Sequence, residues 1–373
     1  MRKLIFDISL SGHHLEYISY IWKWAIEKKD DKFIFAVPGK EWNESQFNKN
    51  WIETDNIEIF PLDIEQIKKI KEGNKIIQSY KQSRLVAKIA KKVNADEVIM
   101  ITLASVIPFL PFFLPKTTKV SGIIYQIFLY GPKKGMKYVV DYLRYFIMAK
   151  NRNVKSVFIL NDLLSANNLN EKFKTDRFKC LPDPVPSLPE KPLTCLRERL
   201  GIESDSKVFL HFGAMDKRKG TLDILKAILC LDETDGVAFI FAGKINEKIK
   251  SEFDSLYKEI KEKGIKIIVM DEFCSYDTLH NLCYSSDCIL MPYRLTNLSS
   301  GVIGYASLHR IPVIGPSEGL IGRLIKENKL GKTIRRITPT VISNEIKNFK
   351  PYSIGNKYAI KNNIDSFLSL IFQ

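Results

Sequence analysis

Short apolar runs alternate with helix-spaced segments twice along this chain, and between the two series lies Cys180 to Pro192, which holds five prolines (Pro182, Pro184, Pro186, Pro189 and Pro192). Proline continues neither a helix nor a central strand, so this stretch reads as a stiff, extended connection between domains. Before it, strands are expected at Leu4 to Ile8, Phe33 to Val37, Ile57 to Phe60, Glu97 to Ile101, Val120 to Ile124 and Ser156 to Leu160. After it they recur at Val208 to Phe212, Val237 to Ala242, Ile265 to Met270, Cys288 to Met291 and Ile311 to Ile314, with a helix from Thr221. Runs this short and this apolar are strands buried on both faces, and helices between them impose parallel pairing through right-handed crossovers. The expected fold class is therefore α/β, with two Rossmann-like doubly wound domains facing across a cleft. Residues 1–185 form the first domain, 186–350 the second, and 351–373 a closing helix near the junction, marked by Ile360, Ile364, Phe367, Leu368 and Ile371.

The remaining bulk features narrow the class. Val98 to Leu114 has no charged residue, but it is short for a membrane span and Pro108 and Pro111 interrupt it, so a buried strand and an apolar loop are expected. Six cysteines without a Cys-x-x-Cys pair read as reduced thiols, mostly core, with no metal site. Met1 to Ile8 reads as a strand and not a signal peptide, which points to the cytoplasm. The net charge is +15, and Ile101 to Lys155 alone carries nine basic residues against one acid, interleaved with Phe109, Phe112, Phe113, Phe128, Tyr130, Tyr138, Tyr142, Tyr145 and Phe146. That mixture suits the anionic inner face of a membrane, as a peripheral contact, better than nucleic acid, for which no recognition motif is present.

Chemistry concentrates between Tyr293 and Gly322. There an apolar strand runs into a polar loop, Ser299, Ser300 and Gly301 open a helix, and another buried strand follows. A small-residue turn at a helix N-terminus offers unpaired N–H groups and the positive dipole end to an anion, here a diphosphate. Gly213 follows the Val208 to Phe212 strand, and Lys217, Arg218 and Lys219 come next, three cations able to neutralise a departing nucleotide. In the first half, Gly12 permits close backbone approach, while His13 and His14 can donate to a phosphate or handle a hydroxyl proton. Gln126, after Tyr125 at a strand end, can bond a sugar hydroxyl, and Asp183 lies in the proline-rich hinge.

These motifs resemble the nucleotide-sugar domain of retaining GT-B glycosyltransferases, the large family 4-type transferases that use nucleoside diphosphate donors. Gly213-Ala214 and Lys219-Gly220 occupy the positions of that family's Gly-Arg, four residues, Lys-Gly motif, with the lysine kept and the arginine absent. Tyr305-Ala306 and Arg310-Ile311-Pro312-Val313-Ile314 align with its second signature, which places Asn297 and Tyr305 at the two signature glutamates. Asn297 still bonds a sugar hydroxyl, whereas Tyr305 does not chelate a ribose diol as a carboxylate does.

The resemblance implies a sugar transferred, with retention, from a nucleoside diphosphate donor (UDP or GDP undetermined) to a hydroxyl of a lipid-linked or surface-polysaccharide acceptor, without metal or other cofactor. Hexosyl transfer and peripheral membrane attachment are part of that expectation. The rivals are a catalytically inactive GT-B partner subunit or binding protein, a sugar-nucleotide epimerase, and a nucleic-acid-binding protein.

Overall fold

The computed structural model describes residues 1–10, 12–44, 54–127, 135–186, 196–232 and 236–373; Ser11, Phe128, Tyr130, Lys133, Lys134, Pro189, Pro192 and Cys195 lie outside them. The chain divides into two compact units, Met1–Leu181 with Phe367–Gln373, and Pro182–Ser366. Residues 182–185 thus go with the second unit, and the closing segment is shared.

In the first unit the strands are β1 (Arg2–Phe6), β2 (Lys32–Pro38), β3 (Ile57–Leu62), β4 (Glu97–Met100), β5 (Lys119–Ile124), β6 (Val154–Leu160) and β7 (Phe178–Leu181). They form one parallel sheet in the order β3-β2-β1-β4-β5-β6-β7. Leu4, Ile5, Phe6 and the run Phe33 to Val37 are fully buried, as strands covered on both faces require. Inside this sheet the buried Glu97 carboxylate accepts from Ser121 Oγ at 2.8 Å and pairs with Lys155 Nζ at 3.0 Å, so its charge is compensated. Gly122 of β5 sits opposite Met100 of β4 with no room for a side chain. A Cβ there would lie 2.6 Å from the Met100 carbonyl oxygen and 2.9 Å from Leu103 Cβ. Val98 to Leu114 forms β4, a single tight turn at Leu103–Ser105 and the short helix Leu110–Phe113. Among the described residues no helix is long and apolar enough to cross a membrane.

The second unit holds β8 (Lys207–Phe212), β9 (Val237–Ala242), β10 (Lys266–Met270), β11 (Cys288–Leu290), β12 (Val313–Pro316) and β13 (Gly331–Ile334), parallel in the order β10-β9-β8-β11-β12-β13. One apolar layer packs on each face: Leu210, Ile240, Ile289 and Val313 point to one, Phe209, Phe239, Cys288 and Ile314 to the other.

Three expectations need correcting. β7 and β13 escape the sequence pattern because they are short edge strands, Phe-Lys-Cys-Leu and Gly-Lys-Thr-Ile, that bury only Phe178 and Leu181 in the one and Ile334 in the other. The closing helix is two helices, Lys357–Lys361 and Ile364–Ile371. Asn362 and Asn363 part them by bonding the local backbone: Asn362 Nδ2 donates to the Tyr358 carbonyl and Asn363 Oδ1 accepts from Ser366 N. Of the five described cysteines, only Cys283 and Cys288 are buried, with thiol pKa values pushed up by burial, while Cys230 is exposed. Within the second of these helices Phe367 packs on Tyr17 with ring centroids 5.0 Å apart, and just past its end Phe372 stacks on Trp24 at 3.9 Å.

Candidate functional site

In each sheet the strand order reverses once, between β1 and β4 in the first unit and between β8 and β11 in the second. Loops leaving the carboxyl ends of the two strands at such a reversal diverge to opposite faces, and the crevice they leave is where open α/β sheets bind ligands. Most of the sequence candidates follow β1, β8 or β11; Gln126 instead follows β5, and Tyr305 lies inside the helix Gly301–His309.

In the second unit, β8 runs into Gly213, whose φ of +93° lies in the left-handed region. A Cβ there would come 2.5 Å from Lys219 Nζ, so the glycine is what lets the lysine fold back over the turn. Asp216 organises the turn: its Oδ1 accepts from Lys219 N at 3.0 Å and its Oδ2 from Arg218 Nε at 2.7 Å. Lys219 Nζ donates to the Phe212 carbonyl at 3.4 Å, a long bond, and lies 5.3 Å from the centroid of the Tyr293 ring. Lys217 remains exposed.

The loop after β11 is tied to this turn by backbone. Arg294 N donates to the Arg218 carbonyl at 2.8 Å, and the Arg294 guanidinium forks onto Asp223 at 2.8 and 2.7 Å, which raises the arginine pKa. Ser300 caps the helix Gly301–His309 through its extended backbone, not its side chain, which instead donates to the Tyr293 hydroxyl at 3.4 Å. One tyrosine ring therefore carries the Lys219 ammonium on its face and Ser300 at its hydroxyl. Ser299 is differently employed, its Oγ donating to the buried Asp183 carboxylate at 2.8 Å. Asn297 is exposed in the loop. Tyr305 is a core residue: it is 7% exposed, packs edge-on against Phe212 at 5.6 Å and stacks on His309.

Beneath the loops His211 is fully buried and bridges the reversal point. Its Nδ1–H donates to the Leu290 carbonyl at 2.8 Å and its Nε2 accepts from Thr221 Oγ1 at 3.0 Å. Burial, opposed by the Leu290 bond and reinforced by the Lys219 charge, lowers its pKa to about 4, so the imidazole is neutral.

In the first unit, the loop after β1 leads through Gly12, at φ +59°, into the helix His13–Glu27. His14 Nδ1–H donates to Asp7 Oδ2 at 2.6 Å and its ring stacks on Tyr125 at 5.7 Å. Asp7 is buried and also accepts from Ser9 N, so it fixes the imidazole's tautomer and leaves Nε2 as the acceptor. His13 is exposed and meets Glu16 at 3.3 Å, a helix-surface pair. Gln126 follows β5 beside Tyr125 and is partly exposed.

Sequence reasoning missed Asp7, Asp216, Tyr293 and the Arg294–Asp223 fork. Asp7 had a signal, an acid directly after a buried strand and seven residues before a histidine. No group of three or more His, Cys, Asp or Glu able to hold a metal occurs among the described residues.

No protein-family model matches the chain, and no curated protein matches its sequence. Solved structures do match. The whole chain superposes on Anabaena HepE in complex with UDP and glucose, with TM-score 0.70, 14% identity and 98% of that chain covered. It also superposes on WaaG, a glycosyltransferase involved in lipopolysaccharide biosynthesis, with TM-score 0.63, 12% identity and 93% of that chain covered. For the trehalose-6-phosphate synthase OtsA the values are 0.69, 11% and 99%. The fold is that of the GT-B glycosyltransferases. Likeness at these identities speaks to architecture, and both reversal-point loops belong to that architecture.

Proposed function

We propose that the chain is a glycosyltransferase that binds a nucleoside diphosphate sugar at the second unit's reversal point and transfers the sugar to a hydroxyl of a lipid-linked or surface-glycan acceptor. The observation that carries this reading is the shared Tyr293 ring, which holds the Lys219 ammonium and the Ser300 turn together. A diphosphate seated there meets a cation and the Ser300 and Gly301 amides at the start of a helix. As the bond to the sugar breaks, negative charge grows on the leaving diphosphate, and these groups stabilise it most at that moment. The same charge complement serves in place of a metal ion. In the first unit, His14 Nε2, left as the acceptor by the bond to Asp7, accepts from a hydroxyl of the acceptor substrate. Retention, as the family resemblance implies, is the stereochemical expectation, and UDP-glucose, the ligand of a HepE structure, heads the donor panel.

The test is titration calorimetry of UDP, GDP and other nucleoside diphosphates against the wild-type protein and Lys219→Gln, followed by turnover of the matching sugar donors. One charge-assisted bond is worth about 1.5–3 kcal/mol, so the best nucleotide should lose roughly 10- to 100-fold in affinity. If no nucleoside diphosphate binds the wild type, the reading fails and the inactive-scaffold alternative takes its place.

A further inference from the structure

We propose that the second unit carries a binding site for a single sugar ring of a glycan, at the edge of its sheet opposite the reversal-point loops. A cavity of about 250 Å³ opens there between the start of β12, the second residue of β13 and the segment that follows the helix Pro339–Lys347. The strands are parallel, so Pro312 and Val313 at the amino end of β12 and Lys332 near that of β13 lie at the edge away from the loops of Gly213 and Ser300, which leave carboxyl ends. A nucleoside diphosphate at the reversal point therefore leaves this cavity free.

Size and lining choose the ligand. The cavity, at about 250 Å³, falls just short of the ~300–1,000 Å³ of pockets that take drug-sized molecules, which leaves room for one six-membered ring and none for a nucleotide. Phe349, 7% exposed, packs edge-on against Phe209, and Tyr352, 51% exposed, lies against Phe349 with ring centroids 6.3 Å apart. Tyr352 thus presents aromatic surface to the cavity, on which the C–H face of a pyranose packs without giving up a hydrogen bond. Polar groups surround this surface. Lys332 pairs with Glu345 Oε2, Asn348 Nδ2 donates to the Asn344 carbonyl at 2.9 Å, and Lys350 is exposed. That leaves Glu345 Oε1 and Asn348 Oδ1 as acceptors and two ammonium groups as donors, an alternation that sugar hydroxyls, each donor and acceptor at once, satisfy.

An anion fits worse. The Glu345 carboxylate is on the wall, and the cavity sits at the carboxyl end of the helix Pro339–Lys347, where the helix dipole is negative. Burial, with Cys288 nearby, raises the Tyr352 pKa, so the phenol stays a neutral donor. The site stands on its own lining and not on the sugar-transfer reading. Its use does rest on that reading: a glycan held here by one residue keeps its other end near the enzyme, which raises the effective concentration of acceptor.

The experiment is saturation-transfer difference NMR of the full chain with the methyl glycosides of glucose, galactose and N-acetylglucosamine, and with inorganic phosphate as the competing anion. A ligand of this size should bind with a Kd on the order of 1–10 mM. At least one glycoside should be saturated by wild type and by Lys219→Gln alike, because Lys219 lies at the opposite edge of the sheet. Tyr352→Ala should weaken that binding about tenfold or more through loss of the ring. Glu345→Gln, isosteric and therefore safe for the fold, should weaken it about fivefold through loss of a charge-assisted bond. Absence of signal from all three glycosides overturns the proposal, as do equal signals from wild type and both variants, loss of signal in Lys219→Gln, or displacement by millimolar phosphate. Glycoside binding in a protein that transfers sugar from no nucleotide donor upholds the site and fails the transfer reading.

Discussion

His211 makes the second unit's stability depend on pH in a way that can be calculated. Its imidazole is neutral in the folded chain, with a pKa of about 4 against an ordinary 6.5. As pH falls below 6.5 the unfolded chain takes up a proton that the folded chain refuses until about 4, so stability is full above 6.5 and drains away across that interval. Between about pH 7.5 and about pH 5 the loss from this one group is about 2 kcal/mol. Tryptophan fluorescence will not report it, because Trp22, Trp24, Trp42 and Trp51 all lie before the second unit begins. Amide hydrogen exchange of peptides covering β8 and β11 will. His309, lowered to about 4 by burial and by His280, adds a loss of the same sign, so the comparison must be with His211→Gln, which keeps a donor and an acceptor but does not titrate. The wild-type protein should lose about 2 kcal/mol more than the variant over that window. Equal losses, or a His211 resonance that titrates near 6.5, would refute the argument.

Two other substitutions probe the first unit. Gly122→Ala places a Cβ 2.6 Å from the Met100 carbonyl oxygen, and this overpacking should cost about 1–3 kcal/mol in urea unfolding followed by tryptophan fluorescence. Asp7→Asn keeps a hydrogen-bond acceptor beside His14 but removes the charge, and should lower kcat of any sugar transfer about tenfold or more with little change in donor Kd; unchanged kcat would make the pair purely structural.

What the sequence disclosed follows what a single strand or loop carries in its own residues. Strands such as Phe33 to Val37 announce themselves because every residue is buried, whereas β13 buries only Ile334 and has no such signature. The loops at the second unit's reversal point were legible from Gly213, Lys219 and the Ser299 to Gly301 turn, all local patterns. Which hydroxyl does what was not. Ser299 and Ser300 read alike, yet one is bound to Asp183, 116 residues away, and the other to a tyrosine seven residues back. Tyr305 looked like a replacement for a ligand group, but the helix turns it into the core beside Phe212, a matter of rotation that alignment of motifs does not carry.

The chain passes from the first unit to the second at residues 181–182 and returns at 366–367. During vectorial synthesis, then, the aromatic wall of Tyr17, Trp24 and Phe33 is made early but stays open until Phe367 and Phe372 have been translated. The earlier unit is the later one to finish, which makes it the natural client for a chaperone and makes a stop codon ahead of Phe367 a lesion of the first unit and not the second.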